Sequence, residues 1–156
     1  MEDNSLLSLE NITMPFSLEA EQAVLGSVLV DPSCLSQAAV YISPESFYLP
    51  QHNAIFAAML MLDGMGTKID PLVVLDQLVQ QGIYDSAAGK NYLFELAQMV
   101  PSTANVEMYA KIVREKFYIR TLIKISSETI ESAVAQEETA DALLDNAEQK
   151  IYNIRQ

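Results

Sequence analysis

Tryptophan is absent, histidine and cysteine occur once each, and 9 basic side chains stand against 21 acidic ones in 156 residues. Each scarcity excludes something. The lone Cys34 has no partner for an internal disulfide, which fits a reducing compartment and reads as a small buried hydrophobe. The lone His52 has no second histidine and no Glu-x-x-His spacing beside it, so neither metal binding nor a helical-bundle di-metal centre is expected, and its role reads as structural. A formal charge of -12 repels phosphate, so direct nucleic-acid contact is not expected either. No Gly-x-x-x-x-Gly-Lys-[Ser/Thr] and no Gly-x-Gly-x-x-Gly occurs, which removes the common nucleotide cradles. The longest apolar run, Ala54 to Leu62, falls far short of the roughly 20 residues of a membrane span. The N-terminus lacks the basic n-region of a signal peptide. A cytoplasmic chain without a membrane partner is expected, and its acidity favours solubility and protein partners.

What is present is helix. Half of the residues are hydrophobic, enough for one small core with an extension. Asp31-Pro32, Ser43-Pro44 and Asp70-Pro71 each read as an N-cap followed by proline in the first turn. Ser17 is expected to cap a first helix to about Val30, with Glu19 and Glu21 as solvated charges near its positive end. Gly26 inside that helix costs roughly 1 kcal/mol against alanine, so it is either a simple tolerated defect or a point where another backbone approaches closely. Further helices are expected over 32–41, 44–48, 51–62, 71–81 and 89–99, with Gly64, Gly66, Gly82 and Gly89 supplying turns. Ile55, Met59 and Leu62 form one apolar stripe, and Leu72, Leu75, Leu78 and Val79 another. Strand signals are absent.

After Val100-Pro101 no proline or glycine interrupts the chain as far as Ala135, so one long helix of roughly 48 Å is expected, too long for a small head to cover. Thr139 then caps a last helix striped with Ala140, Leu143, Leu144, Ala147, Ile151 and Ile154. The fold class that follows is all-α: a globular helical bundle over residues 15–101, preceded by a flexible arm over 1–14 and followed by a long antiparallel helical hairpin over 102–156. The apolar stripe is still running at Ile154, with no C-cap glycine or following proline, so the chain reads as part of a longer protein.

Two surface features stand out on the long helix. Ile119, Leu122, Ile123, Ile125, Ile130, Ala133 and Val134 point in more directions than one partner helix can cover, which marks an interface beyond Ile119. Lys111, Arg114, Lys116, Arg120 and Lys124 place five of the nine basic residues together, and Lys116, Arg120 and Lys124 share one face. That stripe is either a solvated face partly paired with Glu107, Glu115 and Glu128, or a docking strip for an acidic partner or for the acidic face of a second copy.

Several blocks carry a family likeness. Pro15-Phe-Ser-Leu-Glu-Ala-Glu-Gln-Ala-Val-Leu-Gly-Ser-Val-Leu-Val-Asp-Pro32, Phe47-Tyr48 with His52 and Ile55-Phe56, Tyr92-Leu-x-Glu-Leu96, Val100-Pro101, Ala104-Asn-Val106 with Tyr109-Ala-x-Ile-Val113, and Ala147-Glu-x-Lys-Ile151 resemble the N-terminal domain of DnaB-type replicative DNA helicases. The resemblance implies a helical head and hairpin that pair into dimers, three of which form a collar. It further implies primase as a docking partner, a helicase loader where one exists, and a RecA-like motor domain elsewhere in the parent that uses ATP and Mg. No catalytic residue, cofactor or metal site is expected within these residues. By the same resemblance Tyr92 and Ile123 face primase; Ile119, Lys116, Arg120 and Lys124 complete the candidate partner interface. The competing expectation is a free-standing helical adaptor.

Overall fold

The computed structural model describes residues 12–100 and 102–156, with Ser86 described by its backbone alone. Among them are seven α-helices and no strand: α1 (Leu18–Val30), α2 (Cys34–Ala39), α3 (Pro50–Gly64), α4 (Pro71–Gln80), α5 (Ser86–Met99), α6 (Val106–Ala135) and α7 (Ala140–Asn153). Two 3-10 turns, Pro44–Ser46 and Thr103–Asn105, precede α3 and α6. Most of the expected arm, residues 1–11, lies outside the described residues.

Contacts divide the chain into two units, and the division falls inside α6: Phe16–Glu115 form the first, and Lys116–Gln156 with Pro15 belong to the second. The first unit so defined extends fourteen residues past position 101, into α6. The reason is burial, because Val106, Ala110 and Val113 on the opening turns of α6 belong to the first unit's core.

In the first unit the caps explain the helix starts. The Ser17 hydroxyl accepts from the Ala20 N–H at 3.1 Å, and the Asp70 carboxylate from the Val73 N–H at 2.9 Å. Asp85 accepts from the N–H groups of Ala87 and Ala88. Each satisfies donors that the first helical turn cannot pair internally. Val24, Leu25 and Val28 of α1, Ile55, Phe56 and Met59 of α3, Val74 and Leu78 of α4, and Leu93 and Leu96 of α5 fill the core, each worth on the order of 2 kcal/mol once buried. Gly26 lies where α1 crosses α5: a β-carbon there would collide with the Leu96 carbonyl oxygen and meet Val100 Cγ2 at 2.5 Å. Of the two readings of its placement, the close backbone approach is the one present.

Several expectations need correction. Asp31 does not cap α2; its carboxylate folds onto the Ser33 N–H at 3.1 Å and hydroxyl at 2.7 Å, and the helix starts only at Cys34. The segment after Ser43 closes a single 3-10 turn instead of a helix to Tyr48. Gly89 makes no turn, because Asp85 starts α5 three residues earlier and Gly89 sits inside the helix, where a β-carbon would press on Leu75 and Tyr84. Gly64 is likewise the last residue of α3, while Gly66 and Gly82 hold the left-handed φ of +71° and +72° that ends α3 and α4. On α4 the buried stripe is Val74, Leu75 and Leu78; Leu72 and Val79 are exposed.

In the second unit, α6 ends at Ala135, followed by Gln136 with a left-handed φ of 54°, and Thr139 caps α7 through the Ala142 N–H at 3.2 Å. The two helices run antiparallel, since Lys150 Nζ meets Glu128 Oε2 at 3.4 Å while Tyr118 and Leu122 share a groove with Ile151 and Ile154. The expected stripe on α7 is only half covered: Leu143, Ala147 and Ile154 are partly buried, and Leu144 and Ile151 are exposed.

Candidate functional site

The first unit carries a buried polar chain linking three helices. Glu21 on α1 is 1% exposed and His52 on α3 is 0% exposed. Glu21 Oε1 lies 2.8 Å from His52 Nδ1, and Oε2 accepts from the Tyr48 N–H at 2.8 Å, with the Leu49 N–H 3.4 Å from Oε1. α3 opens on Leu49-Pro50, a cap residue without a polar side chain, so a carboxylate from α1 supplies both the acceptor and the negative charge that this N-terminus favours. Glu21 is thus a buried structural anion, not the solvated helix-start charge expected from its position.

On the far side of the ring, His52 Nε2 lies 2.5 Å from the Tyr92 hydroxyl, and the two rings stack with their planes 6° apart. The Gln22 amide donates to the Tyr92 oxygen at 3.4 Å. The Glu21 carboxylate accepts only, so His52 Nδ1 carries the proton between them, and the Tyr92 hydroxyl, which takes the Gln22 hydrogen bond, closes the chain at Nε2. Burial pushes the Tyr92 phenol up; the Gln22 hydrogen bond opposes this, and the Glu21 and Glu95 carboxylates reinforce it. A neutral phenol and a fully enclosed imidazole make a clamp between α1, α3 and α5, not a nucleophile with its base. Among the described residues no group of three or more His, Cys, Asp or Glu side chains is placed to hold a metal. Cys34 is buried, its Sγ 3.8 Å from the Thr103 carbonyl, and burial pushes its thiol up.

Of the candidate interface residues, Tyr92 alone lies in the first unit, partly buried and engaged by His52. The other five lie on α6 in the second unit. Ile119 and Lys124 are exposed, whereas Lys116, Arg120 and Ile123 are partly buried. Arg120 donates to the Pro15 carbonyl at 3.0 Å and lies 5.9 Å from the Phe117 ring centre. The rest of the basic cluster turns elsewhere: Lys111 and Arg114 sit over the Tyr41 ring at 5.2 and 5.1 Å. Glu128 pairs with Lys150. Between α6 and α7 runs an open apolar groove of about 230 Å³ lined by Tyr118, Ile119, Leu122, Ile151, Ile154 and Arg155. The α7 side of this groove follows from the last helix's periodicity, which defines a stripe without showing how little of it α6 covers.

Comparison with known proteins gives one consistent result. A model of the "DnaB-like helicase N terminal domain" matches residues 13–115. The chain is 42% identical over 142 residues to the replicative DNA helicase DnaB of Geobacillus stearothermophilus, covering 91% of this chain and 31% of that protein. It is 37% identical over 142 residues, with the same coverage, to the replicative DNA helicase DnaC of Bacillus subtilis. Among solved structures, the N-terminal domain of DnaB helicase from Mycobacterium tuberculosis superposes with a TM-score of 0.84 at 31% identity, covering 90% of this chain and 99% of that one. A DnaB-like replicative helicase, described with its interactions with primase, gives a TM-score of 0.71 at 28% identity over 88% of this chain and 31% of its own. The chain thus spans about a third of the curated helicases it matches.

Proposed function

Because the chain belongs to the DnaB-like helicase N-terminal domain family, we propose that it is the assembly and primase-recruitment domain of a replicative DNA helicase. In this reading a separate motor domain of the parent unwinds duplex DNA with ATP and Mg in the cytoplasm, and these 156 residues scaffold. The observation that carries it is the exposed apolar surface of the second unit, where Ile119, Leu122, Ile130, Val134, Leu144 and Ile151 are all solvent-facing. Such a surface is a liability in a monomer and an asset in an assembly. Pairing of hairpins sets subunit geometry, three pairs complete a hexameric collar, and the collar raises the local concentration of primase near the single strand. A helicase loader is a further partner of the same surfaces. Ile119, Ile123, Lys116, Arg120 and Lys124 form the interface on α6; Tyr92 contributes from α5, held in place by His52.

Titrating the helical C-terminal domain of the cognate primase into this chain by calorimetry tests the recruitment role. Saturable heat that Ile123→Ala weakens supports it. Absence of binding to an assembled form of the chain contradicts recruitment and favours a free-standing adaptor.

A further inference from the structure

α4 has two apolar faces, and the core of the first unit uses one of them. Val74, Leu75 and Leu78 are buried, whereas Leu72, Val79 and, just past the helix, Ile83 are 56%, 38% and 43% exposed. From Leu72 to Val79 an α-helix makes two turns less about 20°, so these two side chains stand in one line, with the exposed Asp76 between them. The helix closes in a Schellman motif: the Ile83 N–H donates to the Leu78 carbonyl and the Gly82 N–H to the Val79 carbonyl, each at 3.0 Å, with Gly82 at its left-handed φ. That closure turns the chain back at Ile83, so a third exposed apolar side chain follows the last turn.

The charges around this stripe have one sign. α4 packs against α3 and α5, and neither α3 nor α4 contains a lysine or arginine. The charged side chains on the three helices are Asp63, Asp76, Lys90 and Glu95, besides the enclosed His52. Asp70 and Asp85, which flank α4, are occupied in capping helix starts. Asp76 is held beside the stripe by the Gln80 amide, which donates to its carboxylate at 3.0 Å.

We propose that this face of α4 receives an amphipathic helix of another protein, one with aliphatic side chains at heptad spacing and lysine or arginine beside them. The seven-residue interval is the repeat at which one helix meets another along a seam, and the apolar line is the surface that such a helix covers. The acidic surround selects a basic partner over a second copy. Two copies of the stripe set face to face would bring Asp76 toward Asp76 with no base on α3 or α4 to offset them, and like charges brought together disfavour that pairing. None of the six candidate interface residues lies on α4, so the surface is additional to them.

The probe is a synthetic helical peptide of about three heptads, with leucine at a and d and lysine at e and g. It is titrated into the nitrogen-labelled 156-residue chain and followed by amide shifts and fluorescence anisotropy. Saturable shifts centred on Leu72, Asp76, Val79 and Ile83 are expected. Leu72→Ser with Val79→Ser should raise the dissociation constant roughly tenfold or more while leaving the circular dichroism unchanged. Asp76→Lys should also weaken binding and should confer affinity for the matching peptide with glutamate at e and g. Binding that survives the serine pair, as adsorption of any basic peptide on an acidic protein would, overturns the proposal, and so do shifts centred away from α4. A fall in the mass of the peptide-free chain on making the serine pair would assign the stripe to a second copy and overturn it as well.

Discussion

Glu21 and His52, thirty-one positions apart, meet in the core at 2.8 Å, and the carboxylate that holds the imidazole also closes the start of α3. One side chain thereby joins α1 to the start of α3 and, through the His52 ring, to Tyr92 of α5. This arrangement has measurable consequences.

Removing the carboxylate strands donors. Glu21→Ala takes the carboxylate away from the buried His52 Nδ1–H and from the start of α3, and an unsatisfied buried donor costs about 1–3 kcal/mol, more where a charged group is lost. Urea unfolding should show a loss of about 3 kcal/mol or more. A change within about 0.5 kcal/mol, the range of an ordinary surface substitution, would mean that the network is not structural.

Two tyrosine hydroxyls should respond in opposite directions. Tyr92→Phe removes the hydroxyl that pairs with His52 Nε2 and should destabilise by about 1–2 kcal/mol. The Tyr84 hydroxyl is buried with no hydrogen-bond partner among the described residues, so Tyr84→Phe should be neutral or slightly stabilising. Equal losses in both, by thermal or urea unfolding, would contradict the assigned network.

Burial raises both phenols above their ordinary value. The unfolded chain then ionises first, near pH 10; the folded state holds more protons, and stability falls as pH rises beyond that point. Unfolding free energies measured from pH 8 to 11.5 should be flat at first and then decline. Tyr92→Phe should reduce the slope of the decline. A slope unchanged by that substitution would remove Tyr92 as a contributor.

Gly26 and Gly89 both lie inside helices, yet alanine should separate them. At Gly26 the obstacle is the Leu96 carbonyl, part of a helix backbone that cannot step aside; overpacking there should cost about 3 kcal/mol, outweighing the gain of roughly 1 kcal/mol in helix propensity. At Gly89 the neighbour at 2.8 Å is the end of the Leu75 side chain, with Tyr84 Cβ at 2.9 Å, so Gly89→Ala should cost less. Equal losses in denaturant melts would contradict this ranking.

Local chemistry was legible in the sequence where one residue decides the outcome. Ser17, Asp70 and Thr139 cap where an oxygen precedes a helical stripe, and Gly26 offered a close backbone approach as one of two readings, without naming α5 as the partner. The sequence misled where two local partners compete. Asp31 finds Ser33 before it finds a helix, and Asp85 takes the start of α5, so that Gly89 becomes a packing glycine. The buried clamp was half visible: His52 read as structural for want of metal partners, but its partners Glu21 and Tyr92 are 31 and 40 positions away, and no local pattern marks Glu21 as buried while Glu19, two residues earlier, is exposed. The candidate interface on α6 was visible as apolar residues facing too many directions. Its groove became visible only with α7 folded against it.

Assembly through the second unit and recruitment of primase are the two properties proposed for this domain. Their most direct test is the solution mass of the chain across a concentration series by sedimentation, with and without the helical C-terminal domain of primase. The expected result is a dimer or larger ring that gains mass when primase is added, and an Ile119→Asp variant that keeps its helicity but remains monomeric. A chain that stays monomeric at every concentration and ignores primase would contradict it.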